Sequence, residues 1–173
     1  ESKQTTCVIC PSDGVYCPSG SSAPLSCPAG RFGNESGLGS AEMCHPCPEG
    51  AFCSTGAAEP TLCSPGTAQP LAQQGSCGKC GAGTFQEAAG KTACDVCPGG
   101  SFCAEGASAA LPCLEGTYSS TFGLGSADQC TVCPEGSFCS TGATSHEPCS
   151  PGSVQPTAQQ STCARCEAGS YQE

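Results

Sequence analysis

Large apolar side chains along this chain follow neither a helical nor a long-strand period. They recur at one place in a short punctuated pattern, C-x-x-G-x-Φ, where Φ is usually aromatic. Tyr16, Phe32, Phe52, Phe85, Phe102, Tyr118, Phe138 and Tyr171 all occupy Φ, and only Phe122 lies elsewhere. Ten cysteines open the pattern: Cys10 (with one extra residue), Cys27, Cys47, Cys63, Cys80, Cys97, Cys113, Cys133, Cys149 and Cys166. No segment sustains apolar residues at helical spacing, so helices are not expected. The "CPEG" type of opening is turn chemistry, because proline presets φ at its second position and glycine suits its last. The pattern predicts an elongated ladder of short β-ribbons and turns, a small disulfide-rich repeat fold with almost no helix. Each aromatic is expected to turn inward over a nearby disulfide.

A longer repeat contains the short one. The stretch from Cys44 to Glu87 aligns without gaps on Cys130 to Glu173, with 26 of 44 positions identical at an offset of 86. Upstream, Cys17 and Cys27 map to Cys103 and Cys113 at the same offset, and Cys7 and Cys10 map to Cys94 and Cys97 at 87. The expected organisation is therefore two cysteine-rich units, 1–87 and 88–173, each with ten cysteines. Six residues precede Cys7 and six separate Glu87 from Cys94. That phasing predicts two whole periods of a longer tandem array.

Composition explains why cysteine must carry the fold. The 173 residues include 20 Cys, 24 Gly and 15 Pro, against six Phe, three Tyr, one Met and no Trp. So few large apolar residues cannot fill a core for this length. Cysteine at this density marks a scaffold stapled by disulfides in an oxidising, extracellular setting, secreted or at a cell surface. The other ten cysteines close what the openers begin, and the two kinds alternate strictly. The simplest pairing joins each opener to the next closer: Cys10–Cys17, Cys27–Cys44, Cys47–Cys53, Cys63–Cys77, Cys80–Cys94, Cys97–Cys103, Cys113–Cys130, Cys133–Cys139 and Cys149–Cys163. An interlaced alternative, such as Cys47–Cys63 with Cys53–Cys77, is open at this point. The simple scheme leaves Cys7 and Cys166 over, and Cys166 is then expected to bond Cys7 of a next copy.

Charge and motifs narrow the function. Fifteen acidic residues face five basic ones, a net charge of −10. Nucleic acid would be repelled, since phosphate binding needs clustered Lys or Arg. No run of apolar residues is long enough to span a membrane, so no membrane insertion is expected in this segment. Neither a signal peptide nor a lipid anchor is recognisable, which predicts a mature chain or a part of something longer. Zinc is the main rival for C-x-x-C pairs, and Cys77, Cys80, Cys94 and Cys97 approximate a four-thiolate ribbon. The remaining cysteines do not group that way, so no metal or other cofactor is expected. His45 and His146 sit at unrelated phases of the repeat and read as surface residues. No nucleophile elbow, metalloprotease pair or phosphate-cradling loop occurs, so an enzyme is not expected. Asn34 begins "NES", the one N-glycosylation acceptor in the chain.

The runs "CPAGRFGNESGLGSAEMCHPCPEGAFC" (Cys27 to Cys53) and "CLEGTYSSTFGLGSADQCTVCPEGSFC" (Cys113 to Cys139) resemble the ephrin-receptor-like cysteine-rich repeat, a relative in style of tumour-necrosis-factor-receptor modules. The resemblance implies an elongated ladder of small modules with no catalytic residues. The added C-x5-C piece departs from the plain family pattern. Two functions fit. One is a structural repeat of an extracellular filament, surface hair or coat, whose partners are further copies of itself and glycans. The alternative is the stalk or ligand-binding module of a cell-surface receptor or adhesin. Similarity between the two units along exposed-looking stretches such as "CSTGA" and "AQQ" favours the first.

Overall fold

The computed structural model describes residues 6–172. Nine two-stranded antiparallel ribbons make up its regular structure, each strand two residues long. Two 3-10 turns, Ala41–Met43 and Ala127–Gln129, are the only helical elements among the described residues. By the density of internal contacts the chain divides into two compact units. One runs to Gly78 and also includes Ala88–Ala93, and the other comprises Lys79–Glu87 and the chain from Cys94.

Every ribbon is built from the same parts of the sequence. Its first strand is the x-Φ pair of one motif, and its second is the pair of residues just before the next opener. Val15–Tyr16 thus pairs with Leu25–Ser26, ahead of Cys27. Arg31–Phe32 pairs with His45–Pro46, ahead of Cys47, and Thr117–Tyr118 with Thr131–Val132, ahead of Cys133. Two-residue strands cannot hold together by pairing alone, because an isolated ribbon is marginal even when longer. The disulfides supply the missing constraint.

Nine bonds close within the chain: Cys10–Cys17, Cys27–Cys44, Cys47–Cys53, Cys63–Cys77, Cys80–Cys94, Cys97–Cys103, Cys113–Cys130, Cys133–Cys139 and Cys149–Cys163. This is the nearest-neighbour arrangement. Four bonds are short, spanning 6 or 7 residues, and five span 14 to 17. Loops of the longer size contribute about 3 kcal/mol each on a chain-entropy account. The core is correspondingly made of sulfur. The eleven largest side chains below 2% exposure are all cysteines, and the aliphatic residues Leu38, Ala51, Ala68 and Leu124 are buried with them.

The aromatic rings sharpen the expectation of one ring over one bridge. At the Φ places from Tyr16 to Phe138 they lie half-buried, and three of them cover the disulfide of the following motif. Tyr16 packs on Cys27, Cys44 and Leu38, Phe32 on Cys47, Cys53 and Ala51, and Phe102 on Cys113, Cys130 and Leu124. A ring therefore ties two modules together.

Candidate functional site

The repeated feature with the most exact chemistry is the joint between successive motifs. It has three backbone hydrogen bonds and one close approach. First, the motif glycine accepts from the next opener, as in Cys27 N–H to Gly14 O and Cys133 N–H to Gly116 O; eight such bonds measure 2.8–3.0 Å. Second, the same glycine donates to the residue after Φ of the next motif. Gly30 N–H reaches Cys53 O and Gly116 N–H reaches Cys139 O, both at 2.8 Å.

Third, the opener's carbonyl accepts from a left-handed residue in the next motif's loop. The donors Gly37, Gly56, Gln73, Gly90, Gly106, Gly123, Gly142 and Gln159 serve Cys10, Cys27, Cys47, Cys63, Cys80, Cys97, Cys113 and Cys133 in that order. All eight distances fall within 2.7–2.9 Å, and all eight donors have φ between 60° and 81°. Buried opener carbonyls are thereby satisfied without water. Glycine fills six of these places, as a left-handed residue should.

The close approach involves the motif glycine and the left-handed residue two motifs further on. A Cβ at Gly30 would overlap the Gln73 carbonyl, and one at Gly116 would overlap that of Gln159. Gly14 with Gly56, Gly50 with Gly90, Gly83 with Gly123 and Gly100 with Gly142 repeat the arrangement. These six motifs are consequently each held by two successors.

This geometry revises one inference from the sequence. "CSTGA" and "AQQ" recur in both units, and the structure gives a backbone reason. Gly56 and Gly142 in the first, and Gln73 and Gln159 in the second, are the left-handed donors. Ala57 and Ala143 beside those glycines form parallel bridges to Phe32 and Tyr118. Gln74 and Gln160 steady the same turns, their Nε2 groups donating to Ala72 O and Ala158 O at 3.2 Å. Sequence reasoning saw the motif glycines but not this second series. The signal was present, because glycine recurs at one phase of six loops and glutamine replaces it in the remaining two.

Other singled-out residues fall in ordinary surroundings. Asn34, Glu35 and Ser36 are exposed on the Cys27–Cys44 loop. His45 lies across its ribbon from Phe32, with ring centroids 5.5 Å apart, and its Nε2 is 3.6 Å from Glu35 Oε1. His146 meets the edge of Tyr118 at 5.5 Å, and its Nδ1 is 3.2 Å from Ser137 Oγ. Cys77, Cys80, Cys94 and Cys97 all have their sulfurs in disulfides. Among the described residues, no group of three or more His, Cys, Asp or Glu is placed to hold a metal ion. No helix there is long and apolar enough to cross a membrane. Cys7 and Cys166 carry free thiols.

Nine disulfides, two-residue ribbons and a sulfur core define a small disulfide-rich repeat fold of the kind that forms in oxidising compartments. Residues 66–110 match the family described as tyrosine-protein kinase ephrin type A/B receptor-like. That segment is similar to ephrin-receptor-like cysteine-rich modules. No curated protein matches the chain.

Proposed function

We propose that the chain is a structural repeat of an extracellular filament, surface hair or coat, stiffened by its disulfides and glycosylated at Asn34. The observation that supports this reading is the uniform joint. The same carbonyl-capping bond recurs eight times, and the stretches most alike between the units are spent on building it. Modules that contact mainly their neighbours can be added without a central core, so length is free to grow. A recognition module instead sets aside a patch of aromatic and arginine anchors. Here the motif aromatics from Tyr16 to Phe138 cover neighbouring disulfides or lie half-buried.

The reading is tested by tracking the intact protein with an antibody to the repeat in electron micrographs of the surface that bears it. Labelled fibres or a coat at regular spacing are expected. Label confined to a receptor with a cytoplasmic signalling domain overturns the reading and leaves the receptor-module alternative, which the family match at residues 66–110 favours. Glycosidase treatment should reduce the mass of the secreted chain, and Asn34→Gln should abolish that reduction.

A further inference from the structure

We propose that the cavity beside the Cys113–Cys130 bond is a binding site for a guanidinium, supplied by an arginine side chain of a partner protein. This site is independent of the structural-repeat reading. Its template is the matching loop of the first unit, where the chain binds a guanidinium of its own. Arg31 there sends Nη1 to Cys44 O at 2.7 Å and to Glu42 O at 3.3 Å. Two carbonyls of the 3-10 turn Ala41–Met43 and its C-cap thus form a ready acceptor pair.

The second unit keeps the acceptors and lacks the arginine. Asp128 and Cys130 stand at the phases of Glu42 and Cys44, around the 3-10 turn Ala127–Gln129. Thr117 stands at the phase of Arg31, and its hydroxyl donates to Leu114 O at 2.7 Å. Among the described residues no side chain donates to Asp128 O or Cys130 O. The space left over is a cavity of about 510 Å³, lined by Leu114, Glu115, Thr117, Asp128, Cys130 and Val132 among others. Charge changes with shape. Ala29, Arg31 and Glu42 carry one positive and one negative charge, whereas their counterparts Glu115, Thr117 and Asp128 carry two negative ones. Neither Glu115 nor Asp128 has an ion-pair partner among the described residues.

A guanidinium suits this set better than other cations do. Its five N–H donors lie in one plane and point several ways, so one group serves the carbonyls and a carboxylate together. An ammonium is a compact, strongly hydrated charge and loses more water on entering. A metal ion would find no grouped ligands, since no three His, Cys, Asp or Glu among the described residues are placed to hold one. Leu114 and Val132, 67% and 48% exposed, offer apolar walls to the methylene stem of an arginine. The net charge of −10 opposes the approach of another copy and draws in a basic segment. The arginine therefore belongs to a different, basic protein, and the second unit rather than the first receives it.

The test follows the backbone amides of the 173-residue chain by NMR during titration with N-acetyl-arginine methylamide and, separately, its lysine counterpart. Saturable shifts confined to residues 114–118 and 128–132 are expected, while the Cys27–Cys44 loop, already filled by Arg31, stays still. The lysine compound should bind at least about fivefold more weakly. Glu115→Ala and Asp128→Asn should each weaken arginine binding about threefold, the scale of an exposed ion pair. Thr117→Arg should abolish the shifts by filling the cavity from within, and Arg31→Thr should open a second set in the first loop. Non-reducing peptide mapping of the disulfides reports whether these variants fold. Shifts that do not saturate and spread over the acidic residues overturn the proposal. So does equal binding of the lysine compound, or an equal response of the two loops in the unaltered chain. Concentration-dependent shifts of the same amides in the protein alone, lost in Arg165→Ser, would put the Arg165 of another copy in the cavity. That outcome overturns the assignment of a different protein as the partner.

Discussion

The two long loops that close at Cys27–Cys44 and Cys113–Cys130 share ring, ribbon and bond, yet they finish their inner edges differently. In the first, Arg31 reaches over the loop and its Nη1 donates to Cys44 O at 2.7 Å and to Glu42 O at 3.3 Å. In the second, Thr117 holds the corresponding place and its hydroxyl donates to Leu114 O at 2.7 Å. The space the guanidinium would fill is an open cavity of about 510 Å³, bordered by Glu115, Thr117, Asp128 and Cys130. At the 3-10 turn the difference runs the other way. Gln129 Oε1 accepts from Gly125 N–H at 2.6 Å and Ser126 N–H at 3.2 Å, whereas in the first loop Gly39 N–H reaches only the Met43 sulfur, at 3.3 Å. The joints are invariant and the loop interiors are negotiable, so the repeat specifies how modules connect more tightly than what each encloses.

The most direct way to break the comparison is at the shared element. Replacing both cysteines of Cys27–Cys44 or of Cys113–Cys130 with serine should cost about 2–5 kcal/mol in either loop. Hydrogen exchange of the loop amides is the measure, and a large inequality would show that the bonds are not equivalent. Gly30→Ala and Gly116→Ala come next, because each needs a left-handed backbone and each Cβ would overlap a carbonyl. Each should exceed the penalty of roughly 1–3 kcal/mol for a strained backbone alone. Gly136→Ala is the control, since its φ is 73° but a Cβ there meets nothing within 4 Å. Its cost should stay within that strain range. Equal melting losses for all three would remove steric overlap as the reason for the glycine.

These cases also separate what is legible in the sequence from what is not. Motif glycines, ribbons and the alternation of openers and closers are local, and local turn chemistry is written in neighbouring residues. The ladder of ribbons is legible for that reason. Gln73 and Gln159 are not, because a left-handed glutamine is disfavoured by itself and its amide is bonded to an opener 26 residues earlier. The reach of Arg31 to Cys44 O is hidden for a similar reason. A lone arginine in an acidic chain reads as a solvated charge, and only the folded loop brings the carbonyls to it. The aromatic places are legible, but their targets are not, since a period in sequence does not say whether a ring faces its own bridge or the next.

Exchanging the two loop finishes sharpens the comparison at smaller energies. Arg31→Thr should destabilise the first loop by about 1.5 kcal/mol, the low end for a charge-assisted hydrogen bond because the site is only half-buried. Thr117→Arg should protect the amides around Cys130 by filling the cavity. Protection in the first and not the second would show that Glu115 and Asp128 hold the guanidinium away from the carbonyls.

The smallest effect is one of pH, and it belongs to the first loop. The Glu42 carboxyl is held below its ordinary value, first by a hydrogen bond from its own backbone, then by the Ser40 side chain, with the Arg31 charge adding to both. A carboxylate with a depressed folded value stabilises the native state at pH above its unfolded value of 4.5 and loses that contribution as pH falls through the folded one. Amide protection factors around Cys44, relative to the intrinsic exchange rate at each pH, should therefore fall on acidification below pH 4.5, and Glu42→Gln should flatten that response. Arg31→Thr should flatten it only in part, since the guanidinium is the lesser cause. If Arg31→Thr abolishes the response entirely, the loop is held by charge rather than by its backbone, and the two loops differ more deeply than a shared joint allows.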